Sequence, residues 1–101
     1  MKKMLHIATA LLLALGAQAA QADIKVLACE PEWGALVREL AGDKASVYVA
    51  TTGLQDPHHI EARPSLVAAA RNTQLVVCTG AELEVGWLPV LIRQSGNSAI
   101  Q

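Results

Sequence analysis

The chain has 101 residues, 52% of them hydrophobic and 3% aromatic, with 8 Lys and Arg against 9 Asp and Glu. A formal charge of −1, no basic stripe and three aromatic side chains (Trp33, Tyr48 and Trp87) exclude a nucleic-acid surface, which needs clustered cations and stacking rings. The two cysteines, Cys29 and Cys78, fit neither a C-x-x-C redox pair nor a zinc-finger spacing.

The first 22 residues, "MKKMLHIATALLLALGAQAAQA", carry Lys2 and Lys3, then an apolar run from Leu5 to Ala17, then the small-x-small pattern Ala20-Gln21-Ala22. These are the three regions of a secretory signal peptide, with cleavage expected after Ala22. The run is shorter than the ~20 residues a spanning helix needs. "VLAC" (26–29) resembles a lipoprotein box, but Asp23 and Lys25 separate it from the apolar run, which argues against lipid attachment. The exported domain is then residues 23–101. Loss of Lys2 and Lys3 leaves six cationic side chains against nine acidic ones, a net −3. Export places the cysteines where disulfides persist.

"IKVLAC" (24–29) is short, apolar and β-branched, and predicts a buried strand. "PEWGALVRELAG" follows. Pro31 suits a first helical turn, Glu32 favours the positive end of the helix dipole, and Gly42 stops the helix. Trp33, Leu36, Val37 and Leu40 recur at helical spacing and predict its apolar stripe. "KASVYVA" (44–50) predicts a second strand. Residues 51–63 show no periodicity and read as a loop. Pro64 opens a helix, "PSLVAAARN". "QLVVC" (74–78) predicts a third strand, and a last helix is expected from about Glu82 to 94, disturbed by Gly86 and Pro89. Trp33 and Trp87 are expected in the core. Strand and helix alternate, so the expected fold is α/β, a parallel sheet with flanking helices and right-handed crossovers.

In such sheets ligands bind beyond the carboxyl ends of the strands. The loop after the second strand contains "DPHHIEARPS" (56–65), and Cys29 and Cys78 end strands one and three. Imidazole is the commonest side-chain metal ligand near neutral pH, and carboxylates beside it suit zinc or manganese. In extended chain, neighbouring side chains point to opposite sides. One of His58 and His59 is therefore expected to ligate and the other to stand by. Asp56 and Glu61 are candidates to accept a ring N–H and fix its tautomer. The same residues would equally suit a solvated loop. Cys29 and Cys78 remain open between a disulfide, two buried thiols and metal ligands.

Asp56-Pro57-His58-His59-Ile60-Glu61-Ala62-Arg63-Pro64-Ser65 resembles the Asp-Pro-His-x-aromatic-Glu-x-x-Pro-Ser motif of the periplasmic zinc and manganese solute receptors of ABC transporters. Gly80, Leu83-Glu84 and Trp87 resemble that family's second motif. The resemblance covers residues 23–101. It implies His58 as the first metal ligand, with His59 and Glu61 as weaker candidates and no catalytic residue. It implies a monomeric, periplasmic receptor that captures Zn²⁺, more readily than Mn²⁺, for a membrane permease. Two departures stand out: Ile60 replaces the usual aromatic, and Glu84 and Trp87 are separated by two residues where one is common. Family members have two α/β lobes with the ion between them and further ligands later in the chain, so these residues are expected to be the first lobe alone, a truncated receptor. The competing expectation is a small exported metal-dependent hydrolase with His58 and His59 as ligands and Glu61 as base. It lacks the three-ligand spacing of catalytic zinc.

Overall fold

The computed structural model describes residues 2–4 and 23–101; the expected signal segment falls almost wholly outside the described residues. Among the described residues, no helix is long and apolar enough to cross a membrane. Three strands, β1 (Ile24–Ala28), β2 (Ala45–Val49) and β3 (Leu75–Val77), form one sheet in the order β2-β1-β3. Both pairings are parallel, with Val26 opposite Val47 on one side and Leu75 on the other. The most apolar run thus takes the central place, where both strand edges are paired and both faces are covered. Each strand is shorter than its apolar run because the end residues already turn into loops.

Within residues 23–101 the helices are α1 (Pro31–Ala41), α2 (Pro64–Arg71) and α3 (Leu88–Ser95). A proline stands in the first turn of each, where its missing N–H costs no hydrogen bond. A short 3₁₀ turn (Gly42–Lys44) links α1 to β2. The last helix begins later than the expected position near Glu82. Residues 81–87 form turns, and Pro89 starts the helix rather than disturbing it.

Alternation along β1 divides the core. Leu27 and Cys29 face a cluster with Ala50, Ile60, Leu66, Ala70, Trp87 and Leu91, which places α2 and α3 on that face. Leu27, Leu66 and Leu91 are fully buried, each adding roughly 1.5–3 kcal/mol by leaving water. On the other face α1 rests through Gly34, the one helix residue that is buried. A Cβ at Gly34 would lie 2.6 Å from Val49 Cγ2, so the close approach of α1 to β2 requires glycine. The expected stripe is therefore only partly packed, with Val37 half-buried beside Gly34. Leu36 is 44% and Leu40 78% exposed, and Trp33 is only half-buried.

The lower end of the sheet is fastened by side chains. Asn97 Nδ2 donates to the carbonyls of Ala70, Arg71 and Thr73, at 3.0, 3.2 and 2.7 Å. Gln101 pairs with Gln74 and Val76 along the outer edge of β3.

Candidate metal site and family

All the chemistry-bearing residues singled out from the sequence lie beyond the carboxyl ends of the strands, where a parallel sheet places its ligands. Residues 51–63 leave the end of β2, anchored at several points. Thr51 Oγ1 donates to the Cys29 carbonyl at 2.8 Å, and Arg63 donates to the Ala50 carbonyl at 3.3 Å. Trp87 Nε1 donates to the Pro57 carbonyl at 2.7 Å. Ile60 is buried in the core cluster, so an aliphatic side chain fills the place where an aromatic was the expected type.

Asp56 organises the tip of this loop. Its Oδ1 accepts the His58 backbone N–H at 3.0 Å and lies 2.9 Å from His58 Nδ1. The carboxylate pKa is lowered, first by the His58 backbone hydrogen bond and then by the bond to its ring. With Nδ1 as the donor, the Nε2 lone pair of neutral His58 is directed away from Asp56 and free to bind a cation. His58 and Asp56 side chains are 60% and 57% exposed, so an ion reaches them from solvent.

His59 sits in the same turn, its N–H bonded to the Asp56 carbonyl at 3.1 Å. The chain here is turned rather than extended, so simple alternation of side chains does not hold. Both rings lean toward Asp56, with His59 Nε2 4.0 Å from Oδ2 and the ring centroids 6.3 Å apart. The His59 side chain is 83% exposed. Glu61 is exposed, and its carboxylate takes no hydrogen bond from the described residues, so Asp56 alone fills the role of ring N–H acceptor.

Cys29 and Cys78 are joined in a disulfide, their Cα atoms 4.9 Å apart. The register explains the pairing. Ala28 is opposite Val77, so the next residues out are the two cysteines, and the Cys29 N–H is bonded to the Val77 carbonyl at 2.9 Å.

Beside the bridge is a carboxyl pair. Glu84 Oε1 and Oε2 accept the N–H groups of Thr79 and Gly80 at 2.9 and 3.0 Å. This clamps a turn in which Gly80, Ala81 and Glu82 all have positive φ, a conformation unusual for the last two. Glu30 is buried, its Oε2 accepts from Thr79 Oγ1 at 3.2 Å, and its Oε1 has no hydrogen-bond partner. Burial, and then the neighbouring Glu84 carboxyl, push the Glu30 pKa up to about 7. Trp33 Nε1 completes the group with a 2.8 Å bond to Thr79 Oγ1. The role of Glu30 was not foreseen from the sequence. The signal for it is a carboxylate placed directly after a buried strand end.

The family described as zinc-uptake complex component A, periplasmic, matches residues 26–101. No curated protein matches. Among solved structures, one titled as a crystal structure of ZnuA is similar at 25% identity with a TM-score of 0.69, over 78% of this chain and 31% of that one. A zinc-bound deletion mutant of ZnuA gives the same identity and TM-score, over 78% and 30%. A manganese-bound periplasmic metal-binding protein from Candidatus Liberibacter asiaticus shares the fold at 18% identity and a TM-score of 0.66, over 78% and 29%. The chain thus spans less than a third of the length of these relatives. With the motif loop at the strand ends and the family match extending from β1 to Gln101, this chain belongs to the periplasmic zinc-uptake component A family.

Proposed function

We propose that this chain is the N-terminal lobe, residues 23–101, of an exported receptor that captures a divalent transition metal in the periplasm and passes it to an ABC-importer permease. Zn²⁺ is the preferred cargo over Mn²⁺, because the first ligand is an imidazole nitrogen and manganese favours oxygen-richer sets. His58 is that ligand and His59 the bystander. The receptor acts as a monomer and transforms no substrate. Zinc- and manganese-bound relatives support a divalent cargo without choosing between the two. Residues 1–22 direct export and are removed.

One observation carries this reading. The His58 ring is fixed through Nδ1 by a depressed, exposed carboxylate, which leaves Nε2 as a preset donor in a solvent-facing loop at the ligand end of the sheet. The test is calorimetric titration of the full-length receptor with Zn²⁺. His58→Ala is expected to weaken binding at least tenfold more than His59→Ala, removal of a direct ligand costing more than the roughly 10–100-fold of an outer partner. Equal losses would overturn the assignment.

A further inference from the structure

We propose that opening the Cys29–Cys78 bridge creates a second site for a soft divalent cation, formed by the two Sγ atoms and the Glu84 carboxylate and excluding His58. One ligand atom from each of these three residues lies within 4.8 Å of the others, a convergence that the His58 loop does not achieve among the described residues. Two thiolates and a carboxylate match zinc or cadmium, since soft sulfur ligands select such ions.

A second observation concerns the carboxyl next to Glu84. Glu30, which directly follows Cys29, is only 4% exposed, and its Oε1 is unpartnered. A buried polar oxygen without a partner is costly, and it can accept a hydrogen bond from a water carried in with the ion. The donors are also held in place. Cys29 and Cys78 sit on hydrogen-bonded neighbouring strand ends, and Glu84 is fixed by two backbone N–H groups. Cys29 is fully buried and Cys78 only partly so, which gives the ion an approach from the Cys78 side.

The chemistry balances with an external dithiol as reductant. Its two thiols exchange with the bridge, the S–S bond of the protein breaks, and the dithiol leaves as a cyclic disulfide. Two electrons and two protons pass to Cys29 and Cys78. The divalent ion then displaces those two protons as the thiolates bind it. A small-molecule disulfide that exchanges with the pair takes up the two electrons and leaves as two thiols, the protein S–S bond re-forms, and the ion is expelled because sulfurs joined to each other are no longer thiolates.

The test uses the full chain carrying His58→Ala, which removes the histidine site from the readout. The chain is reduced, freed of dithiol under argon, and titrated with Cd²⁺ while the thiolate-to-cadmium charge-transfer band is followed. One equivalent is expected to saturate the band in reduced protein, and none to appear in oxidised protein. Glu84→Gln is expected to weaken binding by more than about tenfold. Cadmium-113 NMR of reduced protein with wild-type Glu84 gives a readout that survives poor folding of that variant, with a resonance of two sulfurs and oxygen expected. Absence of a stoichiometric band, a sulfur-only resonance, or a folded Glu84→Gln variant that binds as well as its parent would overturn the proposal. So would unfolding of the reduced, cadmium-loaded chain, seen as loss of the near-ultraviolet dichroism of Trp33 and Trp87.

Discussion

At the scale of single residues, two carboxylates do opposite things. Asp56 is exposed and accepts two hydrogen bonds from His58, so its charged form is favoured. Asp56→Ala removes the group that sets the ring tautomer and orientation. Zinc affinity of the full-length receptor is expected to fall about 10–100-fold. Asp56→Asn keeps an oxygen acceptor and is expected to lose less, and a competition titration against a chelating dye separates the two. Glu30 is buried against Glu84, so its neutral form is favoured, with a pKa near 7 instead of 4.5. The folded state therefore holds a proton that the unfolded state has released between those values. Its stabilisation is complete below pH 4.5, declines as pH rises toward 7, and is gone above that. Glu30→Gln mimics the neutral acid at every pH. It is expected to flatten this decline and to be more stable than the parent at pH 8 by up to about 3 kcal/mol. Urea unfolding of the oxidised, metal-free full chain at pH 5 and pH 8 measures both, and parallel curves for the two proteins would contradict it.

At the scale of elements, α1 shows how packing overrides periodicity. Its hydrophobic stripe is regular, yet only Trp33 and Val37 of it are half-buried, because the helix is rotated to set Gly34 closest to Val49 and Ala28. Gly34→Ala raises helix propensity, worth roughly 1 kcal/mol in an exposed helix. Here the added methyl would meet Val49 at 2.6 Å. The clash is expected to dominate, with a net loss of about 1–3 kcal/mol in thermal or denaturant unfolding, as for an overpacked core. The site loop is held in a comparable way by α3. Trp87 is both a core residue and the donor to Pro57, so the segment that begins the last helix also positions the turn bearing His58. A Cβ at Gly86 would lie 3.0 Å from the His58 carbonyl, which shows how closely that segment approaches the loop.

At the scale of the whole molecule, one covalent tie spans the ligand end of the sheet. The cysteines are 49 residues apart in sequence, and the bridge closes α1, β2, the site loop, α2 and β3 into one ring. Cys29→Ser with Cys78→Ser is expected to cost about 4 kcal/mol, chiefly by freeing the unfolded chain. Chemical denaturation of the full chain with and without the pair measures it. Zinc affinity at the His58 site is expected to change little, because the Asp56–His58 and Trp87–Pro57 hydrogen bonds that hold that loop involve neither cysteine.

The sequence by itself determined the α/β alternation, the three strands to within a residue or two, the prolines that begin α1 and α2, and the loop carrying His58. These follow from local properties: β-branched runs, proline at helix starts, and a motif whose residues are contiguous. It also placed both cysteines at strand ends, but not the contact between them, which depends on the parallel register of β1 and β3. Only the tertiary structure decided that α1 buries Gly34 and leaves Leu36 and Leu40 of its stripe exposed, and that Pro89 begins the last helix instead of breaking it. Only it brought Glu30 to Thr79 and Glu84, about half the chain away. Such a cluster leaves no periodic trace, because it is created by strand pairing between distant segments and by the removal of water from groups that read as ordinary surface charges in the sequence.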